Sequence, residues 1–168
     1  MPFFDLQSRE FDSTTAPSGP NMYGRAHLRV LYENNTHVLT VKIIQTNKLL
    51  PSERIRLFPK IQFHVTLGNK EKSPKYKTST REYLEILDYN ESFYFPNVEK
   101  DELNKLYVRL RLYGKETFGS DKLISQAVYF LSNLTLNEQT NYITLYFEEA
   151  KVRFYFLSTT TKIFIFSY

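Results

Sequence analysis

Apolar and polar residues alternate along most of this chain with a period of two, the mark of half-buried strands. Ala26, Leu28, Val30 and Tyr32 alternate with Arg25, His27, Arg29 and Leu31. This predicts a strand with a basic outer face. A tight turn at Glu33–Thr36 and a returning strand over Val38–Gln45 make 24–45 a hairpin. After the proline-bearing loop 46–59, Ile61, Phe63, Val65 and Leu67 mark a third strand. Lys75–Thr80 reads as a short basic edge strand, because lysine on an edge deters pairing with foreign chains. Residues 91–96 form the next strand, stopped by Pro96. Leu106–Tyr113 alternates cleanly, with Tyr107, Arg109, Arg111 and Tyr113 on one side. Leu123–Phe130 and Tyr142–Phe147 complete the set, and the connection 131–139 has room for a turn of helix. The expected fold is all-β, an eight-stranded antiparallel β-sandwich. No stretch keeps a 3.6-residue period over three turns.

The same pass divides the chain. Residues 1–22 read as a disordered polar tail, because Ser13–Pro20 is turn chemistry without periodicity. Residues 23–148 hold the domain. Residues 149–168 carry six aromatic residues interrupted by Ser158–Thr161 and Lys162. They are read as an extra hairpin, a docking tail or a peptide from an altered reading of the gene's end, and no function is assigned to them.

Composition narrows the chemistry. The 168 residues contain no cysteine, which removes disulfides, thiolate metal sites and cysteine nucleophiles. Five glycines leave little for a phosphate-cradling loop. There is no G-x-S-x-G, no Walker motif and no H-E-x-x-H, and Glu82 and Glu85 sit in no recognisable pair. The expectation is a binding protein, not an enzyme, with no cofactor. No apolar run approaches the ~20 residues of a spanning helix. Met1–Arg9 has no basic-then-apolar leader pattern, so a cytoplasmic location is expected and the sequons at Asn34, Asn90 and Asn133 are read as chance.

Charge is the informative feature. The net charge is +4, but residues 69–81 alone carry +4 and residues 82–102 carry −6. The basic segment supplies Lys70, Lys72, Lys75, Lys77 and Arg81. Two readings of it stand side by side: a surface for anionic headgroups, or a solvated edge strand. His27 and His37 are expected to face each other across the first hairpin, with His64 on the third strand, as ordinary strand histidines and not as a metal site. Arg109, Arg111, Tyr107 and Tyr113 interleave bases with aromatics as single-strand nucleic-acid binders do. A solvent-facing strand is the preferred reading, with no nucleic-acid partner.

The order of these strands and their short motifs resembles a C2 domain of the synaptotagmin type over residues 23–148. Gly24–Leu28 is similar to the family's G-x-L-x-L opening, and Asn90–Phe95 to its N-E-x-F-x-F strand. Lys75–Thr80 resembles the basic fourth strand, and Leu123–Ala127 the segment after the third loop. Arg109–Tyr113 and Val128–Leu134 are closest in pattern to the calcium-independent synaptotagmins fourteen and sixteen.

The resemblance implies a membrane-trafficking module of exocytosis, peripheral to membranes, that binds acidic phospholipid. The alternative is a protein-interaction module, forming homo- or hetero-oligomers with other C2 proteins without lipid affinity. It also implies where calcium would bind, and the sequence departs there. Ca²⁺ takes roughly six to eight oxygens, several from carboxylates. The first loop offers only Glu53, among Lys48, Arg54 and Arg56, and Leu57–Lys60 replaces the S-D-P-Y segment. Third-loop ligand positions read Gly114, Glu116 and Lys122, with Asp121 one place off. No metal site is expected. The expected lipid-binding residues are Lys70, Lys72, Lys75, Lys77 and Arg81, joined by Arg54, Arg56 and Lys115 of the loops. The apolar loop residues Leu57, Phe58 and Phe118 either enter the membrane interface or, for Phe58 and Phe118, pack inward and seal the sandwich; for Phe118 the inward reading is preferred.

Overall fold

Alternation along the strands dictates two layers, and the computed structural model has them. It describes residues 22–116, 118–136, 140–150, 153–154 and 165–166. Strands β1 (Met22–Glu33), β2 (Val38–Asn47), β6 (Ile86–Phe95) and β9 (Asn141–Glu149) form one layer in the order β9-β1-β2-β6. Strands β3 (Lys60–Gly68), β4 (Lys75–Lys77), β7 (Tyr107–Lys115) and β8 (Lys122–Phe130) form the other in the order β4-β3-β7-β8. The two-residue β5 (Arg81–Glu82) also pairs with β3. Every pairing is antiparallel. The layers join at one margin, where Ser125 and Gln126 of β8 pair with Glu149 and Glu148 of β9.

Inward residues from both layers make one core. Phe63 is fully buried and meets the Tyr89 ring edge-on at 5.3 Å and the Phe147 ring at 5.6 Å. Leu28, Val30, Leu39, Val41 and Leu110 are likewise wholly buried. The second margin is closed by side chains between the edge strands β4 and β6. The Tyr76 ring packs on Phe93 and Phe95 at 5.5 and 5.2 Å, and its hydroxyl donates to the Tyr94 carbonyl. Glu91 accepts from the Ser79 amide at 3.0 Å and pairs with Arg81 at 3.3 Å.

Several expectations need correction. The strand expected over 91–96 begins at Ile86, five residues earlier, because Leu87 and Tyr89 also point into the core. The loop 46–59 contains one helical turn, α1 (Ser52–Ile55). His27 and His37 do not face each other. His27 aligns with Gln45 and places Nδ1 3.1 Å from Thr144 Oγ1, whereas His37 lies in the turn beside Glu99, also at 3.1 Å. The connection after β8 does hold a short 3-10 turn, Leu131–Asn133. The tail expected at 1–22 lies outside the described residues except for Met22. Of 151–168, only Arg153–Phe154 (β10) and Ile165–Phe166 (β11) are described, and they pair antiparallel.

Replacing Phe63 by alanine would strip the centre of this core. The expected loss is about 3–5 kcal/mol of unfolding free energy in urea denaturation.

A cationic sheet face and an apolar loop end

The register decides which outward side chains become neighbours. His64 of β3 aligns with Lys77 of β4 on one side and Arg111 of β7 on the other. Arg111 in turn aligns with Gln126 of β8. One step along, Thr66 aligns with Lys75 and with Arg109. Two rows therefore cross the sheet, and they hold Lys75, Lys77, Arg109 and Arg111 with His64 at the centre. Strands lie ~4.8 Å apart, so the lysine and arginine of a row sit about 10 Å from each other. None of these four cations forms an ion pair among the described residues.

Aromatic rings brace the face. Tyr113 stacks on His64 with centroids 4.1 Å apart. The Arg109 guanidinium lies 5.1 Å over the Tyr107 ring and donates to its hydroxyl at 2.8 Å. Tyr107 leans across β3 because position 68 is glycine: a Cβ there would stand 2.1 Å from the ring. The rings are thus taken up by protein partners, which leaves them poorly placed to stack on bases. His64 Nε2, Gln126 Oε1 and the Nε atoms of Arg109 and Arg111 are buried without a hydrogen-bond partner among the described residues.

The remaining basic residues of the expected patch lie differently. Lys70 pairs with Glu102. That bond and the Glu99 amide hold the Glu102 carboxyl below its ordinary range. Arg81 is shared among Glu91, Ser79 and the Tyr89 carbonyl, with its guanidinium 5.3 Å over the Tyr89 ring. Lys72 is an exposed residue of the turn before β4. Sequence reasoning therefore joined Lys70 and Arg81 to β4 by proximity along the chain. It missed Arg109 and Arg111, which only the strand register brings to Lys75 and Lys77.

The connections 48–59, 83–85 and 116–121 emerge at one end of the sandwich. The Lys48 amide donates to the Glu85 carbonyl at 2.7 Å, and the Tyr83 amide to the Pro59 carbonyl at 2.9 Å. Arg54 pairs with Glu149 at 3.2 Å, and its guanidinium lies 5.6 Å over Tyr23. In the third loop Lys115 pairs with Asp121, and Lys122 with Glu116 at 2.9 Å. Among the described residues no three His, Asp or Glu side chains are grouped to hold a metal ion. Phe58 is buried at 7% exposure, against Gly114, where a Cβ would stand 2.3 Å from its ring. Phe118 contradicts the expectation of inward packing: it is 92% exposed. Leu57, Leu84 and Ile86 are exposed at the same end. The third loop leaves the sheet at Lys115 and returns at Lys122, so Phe118 lies at its tip, away from the core.

These observations meet a direct comparison. The C2 domain family model matches residues 37–145, well over half of the chain. The chain belongs to the C2 domain family. Solved C2 domains show the same fold. The A-type C2 domain of RIM from Drosophila is 19% identical, with a TM-score of 0.62, over 74% of this chain and 98% of that one. The corresponding A-type C2 domain of RIM2 is 16% identical, with a TM-score of 0.57, over 73% and 96%. The first C2 domain of human synaptotagmin XIII is 13% identical, with a TM-score of 0.56, over 79% and 94%. Comparison with curated proteins gives no match. C2 domains commonly act in membrane trafficking and lipid binding and are in general non-catalytic. No helix among the described residues is long and apolar enough to cross a membrane.

Titration of the half-buried histidines affects the fold itself. Burial first, and then neighbouring cations, lower His27 and His64 below the ordinary 6.5. The folded protein therefore holds fewer protons than the unfolded chain below about pH 6.5, so stability present above that pH is lost as pH falls. The urea midpoint is expected to be lower at about pH 5.5 than at about pH 7.5, and His64→Gln to narrow the gap.

Proposed function

We propose that this C2 domain docks to acidic phospholipid without calcium, through the β3-β4-β7 face. The observation that carries the reading is the double row of Lys75, Lys77, Arg109 and Arg111, four cations free of ion pairs among the described residues. Each contributes ~1 kcal/mol near an anionic leaflet, so the four together supply about 4 kcal/mol, enough for reversible binding. The apolar loop end adds a second contact. Leu57 and Phe118, with Arg56 beside them, suit insertion at the headgroup boundary. Lys70, Arg81, Arg54 and Lys115 contribute less, since each already has an acidic partner. Calcium is dispensable in this reading because lysines already neutralise both third-loop acids. The narrower likeness to synaptotagmins fourteen and sixteen adds nothing to it.

The test is pelleting with phosphatidylserine-containing liposomes, in EGTA and in calcium. Equal binding in both is expected. K75A/K77A and R109A/R111A should each weaken it about thirtyfold, at ~1 kcal/mol per charge, whereas K70A/R81A should cost much less. Phe118→Ser should weaken binding at every salt concentration, while the charge variants should flatten its salt dependence. Binding that appears only with calcium would overturn the reading. A domain that ignores liposomes but sediments as an oligomer would favour the self-association alternative.

A further inference from the structure

We propose that His64 is a proton-linked contact of this face: an anionic bilayer docked over Lys77, His64 and Arg111 draws a proton onto His64, so the domain binds more tightly as pH falls. This deepens the lipid-docking reading and rests on it.

The geometry makes the case. His64 sits mid-row on an inner strand, flanked by cations from both neighbouring strands. Lys77 aligns with it from β4, with Lys75 one row away. Arg111 aligns with it from β7, where Arg109 and Lys115 also face outward. Its own strand offers only Gln62 and Thr66 beside it, and β8 offers Gln126 in the same row. Asp121 is the acid that acts on it, and Lys115 holds that carboxylate. Tyr113 covers one ring face at 4.1 Å, and Nε2 is buried without a hydrogen-bond partner among the described residues. A third positive charge in this row, beside Lys77 and Arg111, is costly while the face is bare. It becomes favourable once phosphates and carboxylates lie over Lys77 and Arg111. The balance between bare and covered face is what makes His64 responsive, and no other histidine has it. His27 lies on the opposite layer, and His37 pairs with Glu99 in a turn.

A single linked proton changes affinity by at most about tenfold per pH unit. The intact chain is titrated with phosphatidylcholine/phosphatidylserine vesicles at about pH 7.5 and about pH 5.5. The serine headgroup's α-carboxyl titrates near ~3.5, so the lipid keeps its charge over this range. Affinity is expected to rise about tenfold on acidification. His64→Gln should abolish the rise, His64→Arg should bind tightly at both values, and His27→Gln and His37→Gln should leave the rise intact. In parallel, the His64 ring protons are followed by NMR in the unmutated protein with and without soluble dihexanoyl phosphatidylserine. The midpoint should move upward when lipid binds. Lipid binding with an unmoved His64 midpoint, or a rise that survives His64→Gln, overturns this inference and leaves the docking reading standing. Vesicles that fail to bind at either pH overturn both.

Discussion

The structure depends on the interlock of two sheets through their inward side chains, centred on Phe63 between Tyr89 and Phe147. In a pleated strand each inward residue fixes its neighbours outward. Burying Phe63 and Val65 therefore commits His64 to the outer face. Burying Leu110 and Leu112 commits Arg109 and Arg111 to it as well. A slip of one residue in β7 would drive two guanidinium groups into an apolar core, a cost far beyond any single packing contact. The core thus sets the register, and the register sets the arrangement of charge.

That arrangement is selective. Residues of the basic segment that flank β4 find acids from elsewhere in the chain: Lys70 reaches Glu102 and Arg81 reaches Glu91. Lys75 and Lys77 of β4, with Arg109 and Arg111 of β7, find none among the described residues. Like charges directly opposite on neighbouring strands weaken a sheet, but here β3 separates the lysine from the arginine of each row, which keeps the cost small. A core with some thirty buried apolar side chains bears that cost easily. What remains is a cationic sheet face on which Arg109 is held over the Tyr107 ring. Less side-chain entropy is then left to lose on docking.

Much of this was legible in the sequence because the period-two signal is strong. Leu106–Tyr113 alternates without a break, and Tyr107–Lys115 is the strand found there. Legibility failed where the cause is non-local. Nothing near Lys70 in sequence announces Glu102, 32 residues away. The first half of β6 was missed because Leu84 and Ile86 are exposed apolar residues among acids, so polarity no longer tracks burial there. Phe118 was misjudged for the opposite reason: an aromatic residue is inward by habit, but this one lies in the loop beyond the Gly114–Lys122 pair and is exposed. Arg109 and Arg111 were placed on a solvent face correctly. Their partnership with Lys75 and Lys77 is a matter of strand order, which alternation alone cannot supply.

The loop end follows the same logic by other means. Two of the three connections, 48–59 and 83–85, are tied together through backbone bonds, Lys48 to Glu85 and Tyr83 to Pro59, and through the Tyr83 hydroxyl at Leu50. Lys115 and Lys122 sit beside the two third-loop acids, so the like charges that would spread such a loop are already compensated. On the calcium-independent reading proposed, a loop compensated in this way would need no bound cation to gather its carboxylates. Its tip exposes Phe118. In the docking proposed, the apolar tip would supply a contact that salt does not screen, and the face a long-range attraction that salt does screen. Two contacts of different physical origin on one domain would fix an orientation, which neither would do alone.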